Sequence, residues 1–200
     1  MIFQTNLDIS FVVEIDKLKT IVRRTKIYSA DRLENTAEHS WHLATSVWAL
    51  NEYANEAIDI PRAIKMALAH DIVEIDAGDT FVYDLKATES KAELEQKAAQ
   101  RLFAISSLDS LKEMHNLWLD YEKQECPESK FVGALDRFLP MLANHMTDYF
   151  SWRNYKVSLD QIYNRNKKIE VGSKKLWQLA EMIIQDAQKK GLFHEQLPKW

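Results

Sequence analysis

One stretch of the chain is unusually rich in groups that bind cations and move protons: Ala69-His70-Asp71-Ile72-Val73-Glu74-Ile75-Asp76-Ala77-Gly78-Asp79. It begins with an adjacent imidazole and carboxylate, His70-Asp71, at the end of an apolar, helix-like run. Such a pair is a poor choice for packing, because each member needs a partner when buried. It is a good choice for holding a divalent cation, and Glu74, three residues beyond Asp71, is placed for proton transfer. The chemistry implied is metal-dependent hydrolysis, with further ligands to come from elsewhere in the chain.

The other histidines are His39, His42, His115, His145 and His194. His39 and His42 are three residues apart and share a broad helix face. His39 lies in the first turn after a predicted cap at Asn35, near a polar connection, and is the better ligand candidate. His42, between Trp41 and Leu43, reads as a packing histidine. His115 and His145 read as interfacial, and His194 as solvated. Asp136 is an isolated carboxylate in the apolar run Phe131-Val132-Gly133-Ala134-Leu135-Asp136-Arg137-Phe138-Leu139. A buried acid must be paired, neutralised or bound to a cation. Arg137 is a poor partner, since adjacent helix positions point apart. A salt bridge to another base and a ligand role both stay open at this point.

These groups must be positioned by helices. Ile9, Val12, Val13, Ile15, Leu18 and Ile21 fall near helical spacing, predicting a first helix over 8–21, followed by Arg23-Arg24-Thr25-Lys26 and a polar connection. Asn35 and Glu38 form a predicted capping box for the helix bearing His39. Pro61 suits the first turn of a helix ending near His70. Gly78 to Ala87 reads as a loop anchored by Phe81 and Tyr83, and Ser90 as the start of the next helix. Asp109 is the predicted cap of a helix through Tyr121, and Pro127 opens the apolar helix carrying Asp136, with a kink or break expected at Pro140. Ser158 and Gln161 form another capping box, and a last helix from about Ser173 ends at Gly191. No segment alternates with period two, so the expected fold is all-α in one compact domain.

The composition narrows the function. Two hundred residues suit one domain with a sizeable core. Four glycines leave no material for a glycine-rich phosphate loop, and a net charge of -4 gives no electrostatic case for a nucleic-acid polymer or an anionic membrane. The lone Cys126 fits a reducing compartment. No apolar run approaches the roughly 20 residues needed to span a bilayer, and no leader pattern is visible, so a cytoplasmic location is expected.

His39, then His70-Asp71, then Asp136 resembles the H…HD…D signature of the HD-domain phosphohydrolase superfamily. Glu38-His39-Ser40, His70-Asp71-Ile72-Val73-Glu74-Ile75, Ala77-Gly78-Asp79-Thr80, Leu117-Trp118-Leu119-Asp120-Tyr121-Glu122 and Ala134-Leu135-Asp136-Arg137 look like the branch containing the 5′-deoxynucleotidases and related hydrolases. The similarity runs from about Leu18 to Tyr149, a motif-bearing core within one domain of 1–200, and a helical extension follows at about 158–191.

The resemblance implies that His39, His70, Asp71 and Asp136 are ligands of one divalent metal ion: manganese, cobalt, iron, nickel or zinc. It implies that Glu74 orients or deprotonates the attacking water, that Asp79 serves the leaving group, and that Arg24 contacts the substrate phosphate, with Arg23 able to exchange roles with it. The expected substrate is a small phosphomonoester, foremost a nucleoside 5′-monophosphate with or without the 2′-hydroxyl. Where the deoxynucleotidases have a proline-containing segment ending in lysine, this chain has Thr80-Phe81-Val82-Tyr83-Asp84. A homodimer is compatible with the resemblance and with apolar helix faces to spare. The competing readings are phosphodiester cleavage, oxidation at iron, and a non-catalytic metal-stabilised regulatory protein.

Overall fold

The computed structural model describes residues 7–193, and only the backbone of residues 85–89. His194 lies outside the described residues. Its architecture is all-α, with eleven helices and one short antiparallel strand pair among the described residues. Helix α7 (Pro127–Met146) runs through the centre, burying Phe131, Val132, Leu135, Phe138 and Met141. Burying a side chain of this size contributes roughly 1.5–3 kcal/mol, so this apolar stripe is enough to fix the orientation of Asp136 on the same helix. Around it pack α2 (Thr36–Ala49), α3 (Ile60–Ala69) and α6 (Asp109–Lys123).

Local chemistry sets the helix starts. The Asn35 side chain accepts from Glu38 N at 2.9 Å while Glu38 accepts from Asn35 N at 3.0 Å, the capping box expected for α2. Asp59 accepts from Arg62 N at 3.0 Å ahead of Pro61, fixing the start of α3. Asp109, by contrast, is not a cap: Leu108 holds that position without a side-chain bond, and Asp109 turns to Lys112 at 2.8 Å. A first-turn carboxylate with a lysine three residues on prefers that ion pair to the backbone.

The first predicted helix is split. Helix α1 (Leu7–Ile15) gives way to a 3₁₀ turn at Asp16–Thr20, after which β1 (Val22–Lys26) pairs with β2 (Leu33–Asn35). The pairing is irregular between its ends, Val22 opposite Asn35 and Lys26 opposite Leu33. Five residues with adjacent arginines show no alternation, which is why this pair leaves no period-two signature. A further helix, α5 (Leu85–Leu102), starts five residues before the expected Ser90.

Helix α7 is not broken at Pro140. Buried side chains hold it on both sides, and Asn144 donates to the Pro140 carbonyl at 2.9 Å while accepting from Ser151 N and Trp152 N, each at 3.1 Å. Pro140 has no N–H for the carbonyl four residues earlier, which is that of Asp136. No helix among the described residues is long and apolar enough to cross a membrane.

The C-terminal segment consists of α8 (Phe150–Asn154), α9 (Leu159–Asn166), α10 (Ile169–Gly172) and α11 (Lys174–Lys189), with α4 (Glu74–Ala77) completing the helices. Helix α10 approaches α7 so closely that a Cβ at Gly172 would collide with the Lys130 carbonyl and reach 2.9 Å from Ala134 Cβ. Gly172→Ala should therefore destabilise the protein by about 1–3 kcal/mol. A lowered urea midpoint with an unchanged slope is the expected readout. An unchanged midpoint would show that α10 backs away from α7 freely.

Candidate metal centre and cavity

Three segments converge. His39 comes from the first turn of α2, His70-Asp71 from the turn after α3, and Asp136 from the middle of α7. The turn after α3 continues directly into the four-residue α4, so Glu74 follows within one turn. Gly78, at φ +75°, ends α4 and redirects the chain to Asp79. A Cβ there would meet nothing, so glycine serves the backbone conformation and not a close approach.

His39 Nε2 lies 3.0 Å from Asp136 Oδ1 and 4.0 Å from Asp71 Oδ2, and His70 Nε2 lies 3.0 Å from Asp71 Oδ2 and 3.9 Å from Asp136 Oδ1. Donors bonded at about 2.1 Å to one cation sit about 3.0 Å apart when perpendicular and about 4.2 Å apart when opposite. The measured separations fall in that range for the two imidazoles with each carboxylate. His70 supplies the sharper test. Its Nδ1 donates to the Ala67 carbonyl at 2.8 Å, which leaves Nε2 with its lone pair directed at the cluster. That buried Nε2 has no hydrogen-bond partner among the described residues. An orphaned lone pair facing two carboxylates is the arrangement a cation satisfies. The grouping of His39, His70 and Asp136 is compact enough on its own, their donor atoms lying within 4.8 Å of one another.

The surrounding groups orient these donors. Tyr121 donates its hydroxyl to Asp136 Oδ2 at 2.8 Å and packs edge-on against the His70 ring at 5.0 Å. Glu34 sits 3.6 Å from His39 Nδ1. Thr36 donates to Glu74 Oε2 at 2.8 Å. Arg137 plays no part in pairing Asp136; it folds back to the Gly133 carbonyl at 2.6 Å.

Electrostatics are dominated by burial and an excess of carboxylates. Burial raises the Asp71 carboxyl, but His70, Arg23 and His39 outweigh it and hold its pKa down to about 2. Burial and Arg23 disfavour a charge on His39, yet Asp136 and Glu34 prevail and raise it to about 9. Burial pushes Glu74 well above the usual carboxylate range, and the charge on Asp71 adds to this. Asp79 is raised by burial, with Arg23 opposing and Asp71 assisting. A cation in the cluster would offset Asp71 and bring both back down.

The two arginines of β1 separate. Arg23 points into the cluster, 3.2 Å from Asp71, 3.6 Å from Asp79 and 3.4 Å from Glu34. Arg24 is exposed and lies over the Phe81 and Tyr155 rings at 4.9 and 4.8 Å. Both line one cavity of about 220 Å³ that also takes in His70, Asp71, Glu74, Asp79 and Asp136. Phe81 and Tyr83 border it while also packing on the core. Sequence reasoning passed over Thr36 and Glu34 in the capping segment, and Tyr121 inside a recognised run. It also passed over Trp152, Arg165 and Asn166, which line the cavity from beyond Tyr149 and carry no local motif. Of the other histidines, His115 stacks between Phe103 and Trp118, and His145 approaches Tyr149 and Asp186.

The HD-domain family model matches residues 15–177. Among curated proteins, the human 5′-deoxynucleotidase HDDC2 is 28% identical over 130 residues, 64% of this chain and 62% of that protein. The chain thus spans somewhat under two thirds of that relative's length. The 5′-deoxynucleotidase hdd1 of Schizosaccharomyces pombe is 28% identical over 174 residues, 84% of this chain and 85% of its own. Among solved structures, a predicted metal-dependent phosphohydrolase from Magnetospirillum magnetotacticum superposes with a TM-score of 0.87 at 45% identity, covering 94% of each chain. With the family match spanning most of the chain and a close structural relative of the same length, this protein belongs to the HD-domain family.

Proposed function

We propose that the protein is a metal-dependent phosphohydrolase acting on a small phosphomonoester, foremost a nucleoside 5′-monophosphate. The observation that carries this reading is the convergence of His39, His70, Asp71 and Asp136 on one point beside Glu74 and Asp79, in a cavity bordered by arginines. The names of the curated relatives and of the Magnetospirillum protein support it. The four side chains would hold one divalent cation. When bound, that ion supplies Lewis acidity, acidifying water and withdrawing charge from a phosphoryl oxygen.

The remaining steps belong to the chain's own groups. Glu74, buried and held by the Thr36 hydroxyl, takes the proton of the attacking water on its carboxylate. Asp79, whose burial favours its protonated form, returns a proton to the departing alkoxide. Arg23 ties Asp79 to Asp71 and neutralises part of their charge. Arg24, stacked on Phe81 and Tyr155 with no ion-pair partner among the described residues, is free to fork onto phosphate oxygens.

Asp71→Ala should lower phosphate release by more than about 10³-fold, since several kcal/mol of transition-state stabilisation go with the ion. Metal content should fall while far-UV dichroism stays helical; wild-type turnover in that variant with metal supplied would refute the reading. Glu74→Gln should retain the metal yet lose about 10²–10⁴-fold in kcat. Metal content by elemental analysis separates the two effects. Because the His39 pKa is raised to about 9, the metal-free protein carries a proton there at neutral pH. Metal binding must displace it, so affinity should rise with pH up to about 9 and protons should be released on binding. Calorimetry in two buffers of different ionisation enthalpy measures that release, and its absence would remove His39 from the ligand set.

A further inference from the structure

Carboxylates outnumber cations along the cavity wall, yet two of its guanidinium groups are paired with none of them. Arg23 is committed to Asp71, Asp79 and Glu34, and Lys91 to Glu95 at 3.2 Å. Arg137, from α7, and Arg165, from α9, also line the cavity, and neither has a carboxylate in ion-pair contact among the described residues. Arg137 spends one nitrogen on the Gly133 carbonyl, and its buried Nε has no partner there at all. The missing side chain at Gly133 makes room for the Gln124 amide and for Arg137, whose Nη1 would stand 2.9 Å from a Cβ there. The Arg165 guanidinium makes no hydrogen bond among the described residues, although its neighbour Asn166 is tied to Tyr83 Oη at 3.2 Å and to the Ile162 carbonyl at 2.8 Å.

Two half-buried guanidinium groups in the wall of one cavity, neither in an ion pair, are costly to keep. Burial and Arg137 together hold the Arg165 pKa below its ordinary value. Asp136 offsets part of this from beyond ion-pair distance, and no carboxylate among the described residues contacts either guanidinium. An oxyanion fits instead: each guanidinium fork donates to two oxygens, and desolvation strengthens the contact.

We propose that Arg137 and Arg165 form an oxyanion-binding subsite in the wall of the cavity, engaging a phosphate of the substrate. The subsite rests on the phosphohydrolase reading for its ligand, but not for its existence. It brings the C-terminal segment into substrate recognition. The oxyanion is either the reacting phosphoryl group or a second anionic substituent on the same ester.

The test is a calorimetric titration of inorganic phosphate into the metal-loaded full chain. Arg165→Gln, at a half-buried position, should weaken binding about tenfold or more with far-UV dichroism unchanged, and Arg137→Gln likewise. Arg165→Lys should recover part of the loss, and Lys168→Gln, an exposed lysine off the cavity, should change nothing. Kinetics on a nucleoside 5′-monophosphate and a 3′,5′-bisphosphate then locate the anion. A KM raised equally for both places the reacting phosphoryl group on the pair; a KM raised for the bisphosphate alone places the second phosphate there. Unchanged phosphate affinity in Arg165→Gln, with unchanged KM for both esters, would overturn the subsite. If wild-type protein hydrolyses neither ester while phosphate binding still depends on Arg165, the subsite stands and the phosphomonoesterase reading falls.

Discussion

The structure depends on how it places carboxylates where water cannot screen them. Asp71, Glu74, Asp79 and Asp136 crowd together beside two buried imidazoles, with one guanidinium among them. Like charges at such separations repel strongly once solvent is excluded. Protonation of Glu74 and His39 relieves some of this. A divalent cation would offset much of it without occupying those groups with protons. The scaffold then has one task, to bring α2, the turn after α3, and α7 to a common point against that repulsion. The apolar stripe of α7 and the capped starts of α2 and α3 supply the opposing stabilisation.

What was legible in the sequence was what is local. Capping boxes at Asn35 and Ser158, Pro61 at a helix start and Gly191 at a helix end all involve residues a few positions apart, and each stands in the structure as read. The His70-Asp71 doublet and the isolated Asp136 were legible because charged groups in apolar runs demand an explanation. The strand pair was not, because three residues on one side and an irregular register leave nothing periodic to detect. Neither was the division of labour between Arg23 and Arg24. On an extended strand adjacent side chains face opposite ways, but without the strand the two arginines are equivalent. Asp109 failed as a cap because its competition with Lys112 is settled by side-chain geometry, which residue type alone does not disclose.

Arg165 shows a different limit. It sits in a polar helix, Leu159–Asn166, whose sequence is ordinary. Its interest arises only because α10 is pressed against α7 at Gly172, and Asn166 is tied to Tyr83 across the cavity. Those contacts join segments far apart in the chain, so the wall they build has no signature in any window of sequence.

Pro140 gives α7 a further property. By withholding a donor from the Asp136 carbonyl, it removes one rung of the helix ladder at the residue that presents its carboxylate to His39 and Tyr121. The helix nonetheless runs on to Met146, held by buried side chains on both sides of the missing bond. The Asp136 carboxylate is therefore carried by packing and by its side-chain partners rather than by an unbroken backbone ladder, so the core of the protein, not the helix alone, sets where that charge stands.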